Sequence, residues 1–214
     1  MIGKILEKIV IYDNIRSQWK QIKFFINRKK YVISKDDLDE RDRKLVDKVL
    51  AALKNNIFIP KIDKAKFLAL FYDIRKLPVK IYNDDFVIDL HFVWDNEYFR
   101  LSKTIDEKYR EVRKKIFGRV GDVESIVIFP KSNFIRYLYN NQSFGTYDLP
   151  LHIKAVEFIY IPAIFVNSWN HMLSERFSLH ITKRLGGYYR AKDFIIKEGT
   201  RCDAEEFVKE KIQS

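Results

Sequence analysis

The sequence predicts an α+β fold in which N-terminal amphipathic helices precede a mixed or antiparallel sheet with hairpins and packed helices. Three observations predict it. Apolar residues recur every three or four positions near the start, apolar and polar residues alternate from Phe86 to Trp94, and a second alternating stretch surrounds Gly186-Gly187. With no Pro/Gly/Ser-rich linker and no repeat, one domain is expected over 1–214, helical over about 1–76 and mixed α/β over about 77–214.

In chain order, Ile5, Ile9, Tyr12, Ile15, Trp19, Ile22 and Ile26 form the stripe of a helix over Ile2 to Ile26. Its polar face carries Lys4, Lys8, Arg16, Lys20 and Lys23 and runs into Arg28, Lys29 and Lys30, the most basic site in the chain. These charges leave no apolar core for a signal peptide. A second helix is expected with Ser34 as cap, because Asp36, Asp37, Asp39 and Glu40 follow where the helix dipole favours acids. Leu38, Leu45, Val49 and Leu53 are its stripe, Asn55 to Asp63 ends it, and Lys64 to Arg75 reads as a short third helix.

The alternating region predicts a hairpin around an Asp95-Asn96 turn, with Phe86, Ile88, Leu90, Phe92 and Trp94 on one face and Val87, Asp89, His91 and Val93 on the other. Thr104 and Glu107 form a capping box for a helix that Gly118 stops. Then follow a strand over Val123 to Phe129, a helix over about Ser132 to Asn141, a strand over Leu151 to Tyr160, and a helix over Phe165 to Phe177 on which Trp169 and Leu173 bury one turn apart. Ser178 to Arg184 and Tyr188 to Lys197 read as a second hairpin, and a terminal helix starts at Asp203.

Composition narrows the class of function. With 47% hydrophobic residues, 17 Phe and 12 Tyr, the chain can bury a core and is not disordered. One cysteine, Cys202, excludes an intramolecular disulfide and a cysteine zinc cage, so an intracellular, reducing compartment is expected rather than secretion. The run Val156 to Val166 is broken by Glu157 and Pro162 and is shorter than the ~18 residues of a membrane span. It reads as a buried strand giving way to a helix at Pro162. A net charge of +11 implies an anionic partner: nucleic acid, lipid head groups in peripheral contact, or an acidic protein.

Walker A, dinucleotide-binding and nucleophile-elbow motifs do not occur, and no cofactor is expected. His171 and Glu175, at i and i+4 on the expected helix, have the spacing of helical metal ligands, but the second histidine of a zincin is missing. Asp89 and His91 share a strand face near Asp84 and Asp85, as in a metal-dependent nuclease; the neighbouring Glu97-Tyr98-Phe99 lacks the lysine that would position water. The better interface candidates interleave cations with aromatic rings: Lys131 and Arg136 in KSNFIRYLYNN, and Lys183, Arg184, Tyr188, Tyr189, Arg190 and Lys192 in KRLGGYYRAK. Cations there neutralise phosphates while rings stack on bases.

The segments DLPLHIK (Asp148 to Lys154), FVNSWNHML (Phe165 to Leu173) and DDLDERDRK (Asp36 to Lys44) resemble a conserved late protein family of baculoviruses and related insect nuclear DNA viruses. The resemblance implies a viral factor without enzymatic activity, acting through protein partners in nucleocapsid assembly or envelopment, in the nucleus and cytoplasm of the host cell. That is the leading expectation. The alternative is a basic nucleic-acid-binding protein, in its extreme form a divergent metal-dependent nuclease.

Overall fold

The computed structural model describes residues 31–81, 83–98, 103–118, 120–137, 155–157, 163–167, 171 and 173–213. The expected helix over Ile2 to Ile26 and the basic Arg28, Lys29 and Lys30 lie outside them. Within them the chain is α+β, built on two open sheets.

Ser34 caps a single 3-10 turn, Lys35–Asp37, by accepting from the Asp36 N–H while Asp37 accepts from the Ser34 N–H at 2.9 Å. The long helix α1, Glu40–Leu53, therefore starts later than the acidic run suggested, capped by Asp39. Val46, Val49, Leu50 and Leu53 recur at helical spacing and are buried in the main core.

The large sheet has the order β1-β3-β4-β5-β6-β7, with β1 at Val32–Ile33, β3 at Phe67–Ile81, β4 at Asp84–Trp94, β5 at Asp122–Phe129, β6 at Phe134–Tyr137 and β7 at Ala155–Glu157. A late strand, β11 (Ile195–Glu198), runs parallel to β3 along Ala69–Tyr72, next to the antiparallel β1 at Ile74 and Arg75. The short third helix expected over Lys64 to Arg75 is a strand instead, and the helical part does not extend to residue 76. Its apolar residues serve both faces of a central strand, which erases the period of two and leaves a run that also fits a helix.

Alternation in β4 is as expected: Phe86, Ile88, Leu90, Phe92 and Trp94 enter the main core. The strand's hairpin partner is β3, however, and Asp95-Asn96 lead out of the sheet toward helix α2, Lys103–Phe117. Gly118 ends α2 at φ +70, a left-handed conformation that glycine adopts without a Cβ clash. The opposite face of the sheet carries two apolar patches, one with Ala69, Phe71, Val93 and Val123 and one with Val87, Val127 and Phe129. Helix α4, Arg201–Gln213, covers the first through Ala204, Phe207 and Val208.

The second sheet has the order β10-β2-β8-β9, from Tyr188–Arg190, Ile57–Pro60, Ile164–Val166 and Leu173–Ser174. Its residues Ile57, Ile59, Ile164, Val166 and Leu173 join the same main core as the large sheet. Three expectations fall here and in β6. The helix over Ser132 to Asn141 gives way to β6, that over Phe165 to Phe177 to β8 and β9, and the hairpin over Ser178 to Lys197 to helix α3 (Leu179–Arg184) followed by two strands in different sheets. A right-handed helix does not run through residue 171, since His171 has φ +57.

Among the described residues no helix is long and apolar enough to cross a membrane.

Candidate nucleic-acid interface

The outer face of the second sheet is aromatic. Because strand side chains alternate, burying Ile57 and Ile59 turns Phe58 outward, and burying Ile164 and Val166 turns Phe165 outward beside it. The two rings stack at 5.0 Å with 19° between planes. Phe177 meets Phe165 edge-on at 6.2 Å, and Tyr188 meets it at 5.2 Å and 74°. Arg190, opposite Phe58 in register, holds its guanidinium 5.9 Å from that ring's centre.

The basic residues arrive through local chain geometry. Ser178 caps α3 by accepting from the Ile181 N–H, and the helix ends on Lys183 and Arg184. Gly186 and Gly187, at φ +79 and +80, then turn the chain into β10, and the Gly187 carbonyl accepts from the Lys61 N–H at 2.9 Å. The Tyr188 hydroxyl donates to Asn167 Oδ1 at 2.5 Å and accepts from the Ser178 N–H at 2.8 Å, which fixes its ring. From Glu175 to Asp193 the chain carries five basic residues against two acidic ones, so this edge is strongly positive.

Six sequence candidates thus share one region, but Tyr188 and Tyr189 alternate across the strand. Tyr189 pairs with Ile59 on the other face but stays 39% exposed, and partial burial, then the charges of Asp63 and Asp95, push its phenol up. Lys131 is engaged elsewhere: its ammonium donates to Asp42 at 2.7 Å and Asp85 at 2.8 Å over the Phe86 ring. Arg136 pairs with Val127 inside the large sheet, so neither residue belongs to the aromatic face.

The residues considered for metal binding have other partners. Asp89 is fully buried and accepts from Arg75 in a bidentate pair, from Nε at Oδ2 and from Nη2 at Oδ1, the latter at 2.7 Å. Beside it Asp73 Oδ2, His91 and Ser125 Oγ form a chain, Nε2 to Asp73 at 2.9 Å and Nδ1 to Ser125 at 2.8 Å. This order of carboxylate, imidazole and hydroxyl has the connectivity of a nucleophilic triad. Yet Ser125 is only 4% exposed and accepts from Arg201 at 2.9 Å, so a substrate carbonyl has no approach to it and the chain is a satisfied polar strip between two apolar patches.

His171 sits at the junction of the two sheets, and Glu175 lies past β9, not one helical turn away. The imidazole stacks on Trp94 at 4.3 Å and 1°, with Nδ1 3.0 Å from Asp122 and Nε2 3.4 Å from Asp63. Burial pushes the imidazole down, but the two carboxylates outweigh it and hold it up at about 10. Arg113 of α2 joins Asp122 at 3.4 Å and contacts Glu97, whose other oxygen accepts from Tyr109 at 2.9 Å. Burial lifts Glu97 to about 7 against the pull of Arg113. The cluster stores charge and protons, but among the described residues no group of three His, Cys, Asp or Glu is arranged to hold a metal.

Sequence reading missed Asp63, Glu97, Arg113 and Asp122 here, and Asp73, Arg75, Ser125 and Arg201 in the strip. The one available signal was charge embedded among apolar residues, as at Asp73 in FYDIR. With the geometry in place, comparison with protein-family models, curated proteins and solved structures returns no match to this chain.

Proposed function

We propose that the protein binds nucleic acid through the outer face of its second sheet and the adjoining end of α3. The observation that supports this is Arg190 against the Phe58 ring on a face that carries Phe165, Phe177 and Tyr188, with exposed Lys183 and Arg184 ending the helix that leads into β10 and exposed Lys192 just after it. Arginine and lysine supply the salt-dependent attraction to phosphate, and rings in a positive setting supply contacts that a purely electrostatic surface lacks.

The test is fluorescence anisotropy of labelled oligonucleotides at several salt concentrations. Replacing Arg184 and Arg190 together with alanine is expected to weaken binding to the same degree for every sequence and to reduce the log–log salt slope by about 2, nearly one per lost phosphate contact. Unchanged affinity and slope would remove this face from consideration.

A second reading, a non-enzymatic assembly factor of the viral kind that the short segments imply, draws support from Phe177 and Leu179, two positions apart in the chain and 52% and 59% exposed. It predicts no salt-dependent oligonucleotide binding in the same titration.

A further inference from the structure

The rings on the second sheet define the form of nucleic acid that fits them. Phe58 and Phe165 are half-buried and stacked on each other, so they offer a firm apolar floor, whereas Phe177 stands above it and more than half of it meets water. Tyr188 is held edge-on by Asn167 and Ser178, so the site is built before any ligand arrives. Arg190 lies against this floor, its guanidinium 5.9 Å from the Phe58 ring centre, and exposed Arg184 ends the adjoining α3. Arg176, which precedes Phe177 in the chain, has a side chain 79% exposed that pairs with Glu175 at 3.5 Å and can exchange that partner for a phosphate. A matching ligand combines closely spaced anionic charge with flat apolar faces left open. Duplex nucleic acid hides those faces in its own stack, and an acidic peptide has the charge without them.

We propose that this face binds single-stranded nucleic acid, with an unpaired base stacked on Phe177 over the Phe58–Phe165 floor and the flanking phosphates on Arg176, Arg184 and Arg190. The proposal rests on the nucleic-acid reading above and adds the strandedness and the stacking residue. Stacking is sequence-tolerant, because every base has a π-face.

Three labelled probes of about 12 nucleotides, within the usual footprint of such sites, separate the two levels of the claim: oligo-dT, an abasic strand with the same backbone, and a blunt duplex. Each is titrated against the full chain and against Phe177→Ala, a half-exposed position, with the thermal midpoint of both proteins measured to confirm that the variant is folded. The expected result is that oligo-dT binds the full chain at least tenfold more tightly than the abasic strand. Phe177→Ala is expected to weaken oligo-dT about 5- to 150-fold, the range for one stacked base, while leaving the abasic strand unaffected. Equal affinity for oligo-dT and the abasic strand, or a preference for duplex, overturns the stacking proposal while the broader reading stands. Failure of all three probes to bind at low salt overturns both.

Discussion

Two fully buried histidines sit in opposite electrostatic settings, and the difference lies in one partner atom. His91 faces a carboxylate on one side and the Ser125 hydroxyl on the other. Because a hydroxyl can donate as well as accept, one ring proton aimed at Asp73 is enough to satisfy both nitrogens, while Arg201 donates to the same Ser125 oxygen. His171 has carboxylates on both sides, which only accept, so both nitrogens need protons and the ring is a cation over Trp94. A hydroxyl in place of a second carboxylate removes the need for a second ring proton.

The strongest way to break the comparison is to remove the carboxylate that both His171 and Arg113 face. Asp122→Ala leaves two buried cations short of their partner and is expected to cost about 3–5 kcal/mol, read as a lower urea midpoint. A loss below ~1 kcal/mol would mean that water reaches the cluster.

Protonation separates the two sites less drastically. The folded protein holds the His171 proton up to about 10 while the free side chain releases it near 6.5, so the native state binds more protons in between. Stability from this site is complete below 6.5 and declines as pH rises toward about 10, by at most ~1.4 kcal/mol per unit. Glu97, lifted from 4.5 to about 7, acts in the same direction at lower pH, its contribution complete below 4.5 and lost by about 7. In urea titrations at pH 7, 8 and 9, His171→Gln should flatten the decline; an unaltered slope would assign it to other groups.

The smallest effect sharpens the His91 side of the comparison. Ser125→Ala removes the hydroxyl between His91 and Arg201 and is expected to cost about 1–2 kcal/mol, with the pH dependence between 7 and 9 unchanged.

What the sequence disclosed followed from how local each signal was. Helix α1, the terminal helix and the alternating β4 carry their own periodicity or caps, and the pairing of Asp89 with His91 on one strand face came from alternation alone. The strip and the cluster did not, because their members lie far apart in sequence: Asp122 is 49 residues from His171, and Arg201 is 76 from Ser125. The errors have the same origin. Strands β8 and β9 span three and two residues and exist because β2, a hundred residues earlier, offers an edge. Gly186-Gly187 did mark a turn, but it joins a capped helix to a strand that pairs with β2, so β10 and β11 enter different sheets.

The parallel pairing of β11 with β3 also sets an order of events in synthesis. The Tyr72 hydroxyl meets Glu198 across 126 residues of chain. At ribosomal speeds of about 5–20 residues per second, β3 waits roughly ten seconds for that neighbour. During the wait the Ala69–Tyr72 edge is open to any passing strand, and Phe71 lacks its cover from Phe207. A nascent chain stalled before Ile195 is thus the form most exposed to chaperones and to mispairing with its own copies, and the last twenty residues protect the sheet's edge as well as packing on its face.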